Sequence, residues 1–349
     1  MSLLDAWYDK SRRTRLWLWP LWPLSRLYCA LAQWRRKRLE RNRSSPDLPP
    51  VIVVGNITLG GTGKTPLIIA LANLLRSQGL QPGIVSRGYG GNREPVTVSA
   101  ESRPEDVGDE AIVLHRRTGC PVRVDPQRVR AVLALCAETT CDVILSDDGL
   151  QHYALPRAME IVVIDGERLL GNGHCLPAGP LREPAARLRE VDWVVFNGGS
   201  EQGRTLVSCQ AGLAAERPAQ ACMTLEPACW VNLVSGERIG LSALPVAADG
   251  ALHALAGIGN PQRFFETVRA LGYKPLCHPF PDHYRFAAQD LNFSRGHLLV
   301  MTAKDAVKCE AFAGPHCWYL EIEARLPSAF TTHLQATVRA LVLARHARH

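Results

Sequence analysis

Short apolar runs alternate with stretches of helical spacing along residues 51–196. The run VIVVG at 51–55 is largely β-branched and has no charged position, which is typical of a parallel strand buried on both faces. From Lys64 onward leucine and isoleucine recur at helical spacing, and Gly79 ends the pattern. Further strands are predicted at 84–86, 121–124, 142–146, 160–164 and 191–196, and helices at 64–78, 106–118 and 126–138. The alternation predicts an α/β fold with a doubly wound parallel sheet.

The alternation is interrupted at 229–241, where WVNLVSGERIGL predicts a hairpin with Ser235 and Gly236 at its turn. A second series of strands and helices follows and predicts a second, smaller α/β domain. Its predicted elements are strands at 253–259, in PLCHPF and at 297–302, and helices at 261–271 and 327–346. We expect four parts: an N-terminal helical segment 1–49, a first domain 50–228, a hairpin linker 229–241 and a second domain 242–349.

The composition allows two domains with substantial cores. The chain has 349 residues, of which 46% are hydrophobic and 21% charged. Its eleven cysteines are scattered and form no C-x-x-C pair, so neither a zinc ribbon nor a thioredoxin-like centre is expected. An odd number of cysteines without a spacing pattern is typical of a reducing cytoplasm.

The net charge of +7 lies in residues 1–50, which hold eleven Lys and Arg against four Asp and Glu. The same segment holds five of the eight tryptophans: Trp7, Trp17, Trp19, Trp22 and Trp34. A nucleic-acid-binding arm would not carry the apolar bulk of LWLWPLWPL, so nucleic acid is not an expected partner. Tryptophan and leucine flanked by arginine predict contact with an anionic membrane surface.

Three export roles for this segment are disfavoured. A membrane-spanning helix would contain Pro20, Pro23 and Arg26 within a short apolar stretch. A cleaved signal peptide is disfavoured because a basic cluster follows the apparent Ala-Leu-Ala site. A twin-arginine signal is disfavoured because Arg15 stands where that motif has an aromatic residue. We therefore expect peripheral attachment at the cytoplasmic face of a membrane, with a purely structural pair of helices as the alternative.

The stretch VGNITLGGTGKTP follows the first predicted strand and comes close to the phosphate-binding pattern G-x-x-x-x-G-K-[ST]. The first glycine of that pattern falls on Thr58, so Gly60 and Gly61 are expected to make the bend. Backbone N–H groups and a helix N-terminus would hold the phosphates of ATP, with Lys64 on the β/γ oxygens and Thr65 on Mg²⁺. The predicted ATP-binding residues are Thr58, Leu59, Gly60, Gly61, Thr62, Gly63, Lys64 and Thr65.

The stretch CDVILSDDGLQH predicts an apolar strand that ends in two carboxylates. Beside a phosphate-binding loop, such a strand is typical of the Walker-B position, where an acid holds Mg²⁺ directly or through water. We therefore predict Asp147 and Asp148 as magnesium-binding residues together with Thr65. The loop and this strand together predict a P-loop NTPase-like sheet.

Two further segments carry candidate chemistry. VGDEA places Asp109 and Glu110 at the start of a predicted helix, where helix capping is the simpler role. FPDHY offers His283 in a loop beside a carboxylate, and a histidine in such a place is more often structural than catalytic. The residues alone leave open whether Asp106, Asp109 or Glu110 would act as a base.

The order of these motifs resembles that of the tetraacyldisaccharide 4′-kinases over nearly the whole chain. The shared segments are the loop from Gly55 to Thr65, SRGYGG, VGDEA, SDDGLQH, LPAGPLREP, AGIGNPQRFF, FPDHY and TAKDAVK. The non-glycine residue at position 58 is part of the resemblance. Ala303 and Tyr284 depart from it, because that family commonly has glutamate at the first position and histidine at the second.

The resemblance implies phosphorylation of the 4′-hydroxyl of a tetraacylated glucosamine disaccharide 1-phosphate with ATP and Mg²⁺. The reaction belongs to lipid A synthesis at the cytosolic face of the Gram-negative inner membrane. It implies that Asp109 accepts the proton of the sugar hydroxyl and that His283 orients Asp109. His152 is a further catalytic candidate beside Asp147 and Asp148. We expect a peripheral enzyme with an acylated lipid substrate and no obligate protein partner.

Other function classes fit the residues less well. A membrane-recruited regulatory NTPase would bind GTP through Asn-Lys-x-Asp, and Lys304-Asp305 does not have that spacing. A partition-type ATPase would have lysine where Leu59 stands. In a nucleotide-dependent scaffold the acids and histidines of the loops would have no catalytic role. Transfer of label from ATP to extracted lipid distinguishes these classes.

Overall fold

The computed structural model describes residues 3–9, 11–41, 47–92, 94–214, 218–246, 251–294 and 297–347. The strands are β1 Val51–Gly55, β2 Pro82–Ser86, β3 Val96–Thr97, β4 Val122–Val124, β5 Val143–Asp147, β6 Met159–Asp165, β7 Trp193–Asn197, β8 Ala219–Asn232, β9 Arg238–Ile239, β10 Leu252–Ala256, β11 Leu276–Pro279, β12 Leu298–Thr302 and β13 Cys317–Arg325. The helices are α1 Leu3–Tyr8, α2 Arg12–Leu18, α3 Trp22–Arg41, α4 Lys64–Arg76, α5 Pro104–Val107, α6 Asp109–Thr118, α7 Arg128–Glu138, α8 Glu201–Ala211, α9 Pro261–Ala270, α10 Ala303–Cys309 and α11 Ser328–His346. Short 3₁₀ helices lie at Trp19–Leu21, Ala185–Glu190, Ala288–Ser294 and Glu310–Phe312.

One continuous sheet runs through the protein in the order β11-β10-β12-β13-β8-β7-β6-β1-β5-β2-β4-β3, with β9 paired to β8. Strands β7, β6, β1, β5, β2 and β4 are parallel, and β3 adds an antiparallel edge. Side chains of β1 alternate between two apolar cores. Ile52 and Val54 face a core with α4, α6 and α11, whereas Val51 and Val53 face a core with α7 and α8. Both faces are covered by helices, which confirms the predicted doubly wound sheet.

The predicted strands of this sheet agree with the observed ones to within about two residues. The helix predicted at 106–118 is divided into α5 and α6 at Gly108, whose φ of +84° interrupts the helical path. Strand β13 and helices α8 and α10 were not predicted. The parallel strands β10, β11 and β12 agree with the predicted second series of strands and helices.

Two elements are shared between the predicted domains. Strand β8 pairs in parallel with β7 through residues 219–223 and antiparallel with β13 through residues 224–232. Helix α11 comes last in the chain, yet Phe330, Leu334 and Val338 pack in the same core as α4 and α6. The hairpin predicted at 229–241 is formed by β8 and β9. The division of the chain at this hairpin stays a prediction.

The N-terminal segment, residues 3–9 and 11–41, lies against the body of the protein with one face and is exposed on the other. Ser25 Oγ of α3 donates a hydrogen bond of 2.7 Å to the carbonyl oxygen of Cys175. The outward face carries large apolar side chains, namely Leu16, Trp17, Trp19, Trp22, Leu24, Leu27, Leu31 and Trp34. Within the described residues, no helix combines the length and apolar character that crossing a bilayer requires.

Candidate active site

The phosphate-binding loop connects β1 to α4 and turns through two glycines. Gly60 and Gly63 have φ values of +99° and +96°, in the left-handed region that glycine adopts without strain. The side chain of Asn56 stabilises the bend from inside, because its amide donates to the carbonyl oxygens of Thr58 (2.8 Å) and Gly60 (3.3 Å). Thr58 is buried and pairs with Leu181. The loop therefore turns without a glycine at position 58.

Lys64 is fixed at the first turn of α4 by oxygen atoms from two neighbouring loops. Its Nζ donates to Asn56 Oδ1 at 3.2 Å and lies 3.6 Å from Asp148 Oδ1. The other carboxylate oxygen of Asp148 accepts a hydrogen bond from Arg182 at 3.0 Å. Burial alone would raise the pKa of Asp148, but the charges of Lys64 and Arg182 lower it to about 2. Asp148 is therefore a carboxylate at neutral pH.

Asp147 ends β5 directly beside the phosphate-binding loop, where it pairs in register with Val54 of β1. Its Oδ2 accepts a hydrogen bond from Ser86 Oγ at 3.0 Å. Its Oδ1 is buried and has no hydrogen-bond partner among the described residues. Burial and the nearby charge of Glu110 raise the pKa of Asp147 to about 6. A buried carboxylate oxygen without a partner is costly and is expected where a ligand completes the site.

A buried arginine lies beneath these acids. Arg128 donates to the carbonyl oxygen of Asp147 at 2.9 Å and to that of Asp125 at 2.8 Å. Burial lowers the pKa of Arg128 to about 10, so its guanidinium remains charged at neutral pH. Burial, Arg128 and Arg87 together lower the pKa of His152 to about 4. His152 is therefore neutral at pH 7.

Asp109 is the first residue of α6, and nitrogen atoms of two side chains approach it. His283 Nδ1 and Lys308 Nζ lie 4.0 and 3.8 Å from Asp109 Oδ2, beyond hydrogen-bond length but within reach of ion pairing. Burial raises the pKa of Asp109, although Lys304, Lys308 and His283 oppose that rise. His283 has a φ of +57°, and its ring lies 4.7 Å from that of Tyr89, centroid to centroid.

A salt bridge joins the two halves of the site. Lys304 of α10 donates to Glu110 of α6, and this charge lowers the pKa of Glu110. Burial alone would lower the pKa of Lys304, but Glu110 raises it above its usual value. A loop of the second unit also approaches the phosphate-binding loop, because a Cβ on Gly259 would lie 3.8 Å from the backbone nitrogen of Gly61. The candidate site is therefore formed by the phosphate-binding loop, β5 and α6 together with α10 and the loop after β10.

The structure brings the predicted residues into two adjacent groups. Lys64, Asp147 and Asp148 surround the start of α4, and Asp109 lies with His283 at the start of α6. Glu110 links the groups, since its charge acts on both Asp109 and Asp147. Their individual roles stay predictions.

Of the two positions that depart from the resemblance, Tyr284 has a local explanation in the fold. Tyr284 packs its ring 4.9 Å from that of Phe280 and 5.1 Å from that of Phe286, so it belongs to an aromatic cluster. Ala303 is the first residue of α10, directly before Lys304.

Comparison with known proteins identifies the family. Residues 17–339 match the family described as tetraacyldisaccharide-1-P 4′-kinase. The chain belongs to the tetraacyldisaccharide 4′-kinase family. The tetraacyldisaccharide 4′-kinase of Pseudomonas putida strain W619 is 49% identical over 97% of this chain and 96% of its own. That of Azotobacter vinelandii is 47% identical over 97% of each chain. The crystal structure of LpxK from Aquifex aeolicus in complex with ATP is 25% identical, with a TM-score of 0.76, and the match covers 93% of this chain and 99% of that one.

Family membership confirms the predicted resemblance, yet several site residues escaped prediction. Arg182 lies in LPAGPLREP, a segment of the resemblance in which the sequence indicates no ion-pair partner for the arginine. Lys304 and Lys308 are four apart in TAKDAVK, a spacing that places both on one face of a helix. That spacing was the available indication that both lysines face the acids of α6. Asn56 and Arg128 gave no comparable indication.

Replacing Asp147 by asparagine is expected to stabilise the ligand-free protein at neutral pH. Because the fold raises the pKa of Asp147 from 3.8 to about 6, the native state holds a proton that the unfolded chain loses between those values. The free energy of unfolding therefore falls as the pH rises through that window. The buried charge destabilises the native state to its full extent above about pH 6. Asp147→Asn should gain on the order of 2–3 kcal/mol at about pH 7.5 and almost nothing at about pH 4.

Urea denaturation from about pH 4 to pH 8, without Mg²⁺ or nucleotide, measures this difference. Asp106→Asn is the matched control, because Asp106 is exposed. It should change the free energy of unfolding by less than about 0.5 kcal/mol at any pH. An Asp147→Asn protein that is no more stable than wild type at about pH 7.5 would contradict the argument.

Proposed function

We propose that the protein transfers the γ-phosphoryl group of ATP to the 4′-hydroxyl of a tetraacylated glucosamine disaccharide 1-phosphate, in lipid A synthesis. The observation that carries the proposal is the match of nearly the whole chain to the tetraacyldisaccharide 4′-kinases. The use of ATP is supported by the ATP complex of the Aquifex aeolicus relative. The geometry is compatible with this chemistry, because Glu110 lies close enough to interact with both Lys64 of the phosphate-binding loop and Asp109.

Mg²⁺ fits the residues beside the loop. In the described part of the chain, no group of three or more His, Cys, Asp or Glu side chains could hold a metal ion by itself. Mg²⁺ needs no such group, since it commonly keeps water ligands and binds through one or two carboxylates plus phosphate oxygens. Asp147, with its partnerless Oδ1, would hold the ion together with Asp148 and Thr65. When bound, the ion neutralises charge on the β- and γ-phosphates.

The proposed reaction is an in-line displacement at the γ-phosphorus. Lys64 and the amides of the loop bind the β- and γ-phosphates. Asp109 takes the proton of the 4′-hydroxyl while that oxygen bonds to the γ-phosphorus. The bond from phosphorus to the β–γ bridging oxygen breaks and leaves ADP. Because burial raises the pKa of Asp109, its carboxylate is a stronger base than an exposed aspartate.

The neighbours of Asp109 tune that basicity. Lys304, Lys308 and His283 oppose the rise in the pKa of Asp109 and so favour its carboxylate form. His152 is neutral beside Asp148 and adds no charge to the magnesium-binding acids. We assign His283 and His152 as positioning residues in this proposal.

The protein attaches to the cytoplasmic face of the inner membrane through the outward face of the N-terminal segment. Leu24, Leu27, Leu31 and Trp34 recur on one side of α3 at spacings of three and four residues and are exposed. Basic residues cluster at the end of the same helix. Apolar side chains can enter the interface while each basic residue adds roughly 1 kcal/mol near an anionic leaflet. A four-chain lipid substrate stays in the bilayer, so the enzyme must approach it there.

Lys64→Ala tests the nucleotide loop. Loss of this charge should lower kcat at least about a hundredfold, because the interaction strengthens as charge develops on the transferred phosphoryl group. The assay follows label from [γ-³²P]ATP into chloroform-extracted lipid, with the exposed Lys274→Ala variant as control. A folded Lys64→Ala protein with nearly wild-type turnover would be inconsistent with the mechanism. Wild-type protein that releases labelled phosphate and labels no lipid would favour a regulatory NTPase.

A double-variant cycle tests the pairing of Asp109 with His283. If His283 acts only through Asp109, its removal should matter little once Asp109 is gone. Asp109→Ala and Asp109→Ala/His283→Ala should therefore have similar kcat values, while His283→Ala alone is slower than wild type. The exposed His346→Ala variant serves as control. Fully additive losses would show that the two residues act independently.

Co-sedimentation with liposomes tests membrane attachment. Trp17, Trp19 and Trp34 are 56%, 64% and 60% exposed, so their joint replacement by serine should leave the core intact. The triple variant should be released from anionic vesicles and should show a raised KM for the lipid. High salt should weaken wild-type binding only in part, because the aromatic contribution is not screened.

Serine replacements of Leu133, Leu206 and Leu343 provide the matched control, since these leucines are comparably exposed on other helices. This control should sediment like wild type. Equal release of both triple variants, or of neither, would argue against a specific attachment face.

A further inference from the structure

The N-terminal segment contacts the phosphate-binding loop itself. The buried side chains of Ala6, Trp7 and Leu18 form a small apolar group, and Leu59 packs against it. We call this group the docking cluster; its half-buried members are Tyr8, Leu21, Leu59 and Leu176. Leu59 lies between the buried Thr58 and the exposed Gly60. The inward face of the N-terminal segment therefore lies where the loop begins to bend.

Hydrogen bonds to backbone atoms give this contact a defined geometry. Trp7 Nε1 donates to the carbonyl oxygen of Pro177 at 3.1 Å, and the Trp7 carbonyl accepts from the backbone N–H of Asn172 at 2.9 Å. The backbone N–H of Leu59 donates to the carbonyl oxygen of Pro180 at 2.9 Å. The segment 172–182 thus binds the N-terminal helices on one side and the phosphate-binding loop on the other.

A second contact reaches the loop through Arg168. Its guanidinium lies 5.5 Å above the ring centroid of Tyr8, and its Nη1 would be 3.7 Å from a Cβ placed on Gly60. Gly60 and Gly61 are exposed, and glycine loses more conformational freedom on ordering than any other residue. Contacts that fix the loop before a phosphate binds reduce that cost.

We propose that Leu59 is a positioning residue for the phosphate-binding loop and that the docking cluster makes the N-terminal segment a structural part of the nucleotide site. The N–H of Leu59 is engaged with Pro180, so Leu59 acts through Gly60 and Gly61 rather than on a phosphate. The inference rests on the proposed use of ATP. It also gives a reason for an apolar residue at position 59, whose side chain packs against the docking cluster.

Equilibrium dialysis with a non-hydrolysable ATP analogue and Mg²⁺, in the absence of lipid, tests this inference on the full-length protein. Leu59→Ala should weaken binding of the analogue at least about fivefold, because ordering the loop then reduces the free energy of binding. Leu59→Met restores apolar bulk and should lie within about twofold of wild type. Trp7→Ala should weaken binding similarly, and the Trp7→Ala/Leu59→Ala protein should be no weaker than the weaker single variant.

Further measurements separate positioning from general destabilisation. Leu206→Ala removes the same atoms from an exposed site on α8 and should keep wild-type affinity. In the kinase assay, Leu59→Ala should raise the KM for ATP and leave the KM for lipid unchanged. Trp7→Phe keeps an aromatic ring but lacks the N–H that binds Pro177. Trp7→Phe should weaken binding of the analogue at least about twofold. If Leu59→Ala does not fold, Trp7→Phe tests the inference in its place.

Two negative results have different meanings. Wild-type affinity in Leu59→Ala, or in Trp7→Phe if the former does not fold, would overturn the inference and leave the proposed function standing. A wild-type protein that binds no analogue would overturn the proposed function and the inference with it.

Discussion

Compensation of buried negative charge is the constraint on which the rest of the site depends. Asp109, Glu110 and Asp147 come together at the ends of α6 and β5, and burial raises the pKa of two of them. Carboxylates at such short range cannot all ionise without cations close by. The fold supplies Lys64 from the phosphate-binding loop and Lys304 from the second unit. The ion pair that neutralises Glu110 therefore also links α10 to α6, and Val307 of α10 packs in the same apolar core as α6.

The sequence predicted those features of the fold that local pattern determines. An uninterrupted apolar run such as β1 predicts a strand that is buried on both faces. The Gly-Lys-Thr sequence predicts the start of α4. Strand β13 escaped prediction because CWYLEIEAR mixes apolar and charged positions, as suits a strand that leaves the core partway along its length. The break at Gly108 was missed because the apolar spacing continues across it.

Pairings between distant segments leave no trace in local periodicity. Lys304 and Glu110 are 194 residues apart, and Arg182 and Asp148 are 34 apart. Their contact depends on the order of strands in the sheet, which brings the ends of β1 and β5 together and folds β12 and α10 back beside α6. Asp109 could be named from family resemblance alone, whereas its pairing with Lys308 joins two helices that are far apart in the chain. Asn56 illustrates the same limit at short range. Its side-chain amide stabilises a loop that lacks the usual glycine at position 58, and the residue type alone does not reveal this role.

The hydrogen bonds that dock the N-terminal helices span long stretches of chain. Trp7 bonds to a carbonyl 170 residues later, and Ser25 to one 150 residues later. During synthesis at about 5–20 residues per second, the inward face of α1 waits roughly ten to thirty seconds for its partner to emerge from the ribosome. Through that interval the side chain of Trp7 lacks the residues that bury it in the complete fold. The order in which the chain is made therefore leaves the docking cluster incomplete until Leu59 and Leu176 have both been made.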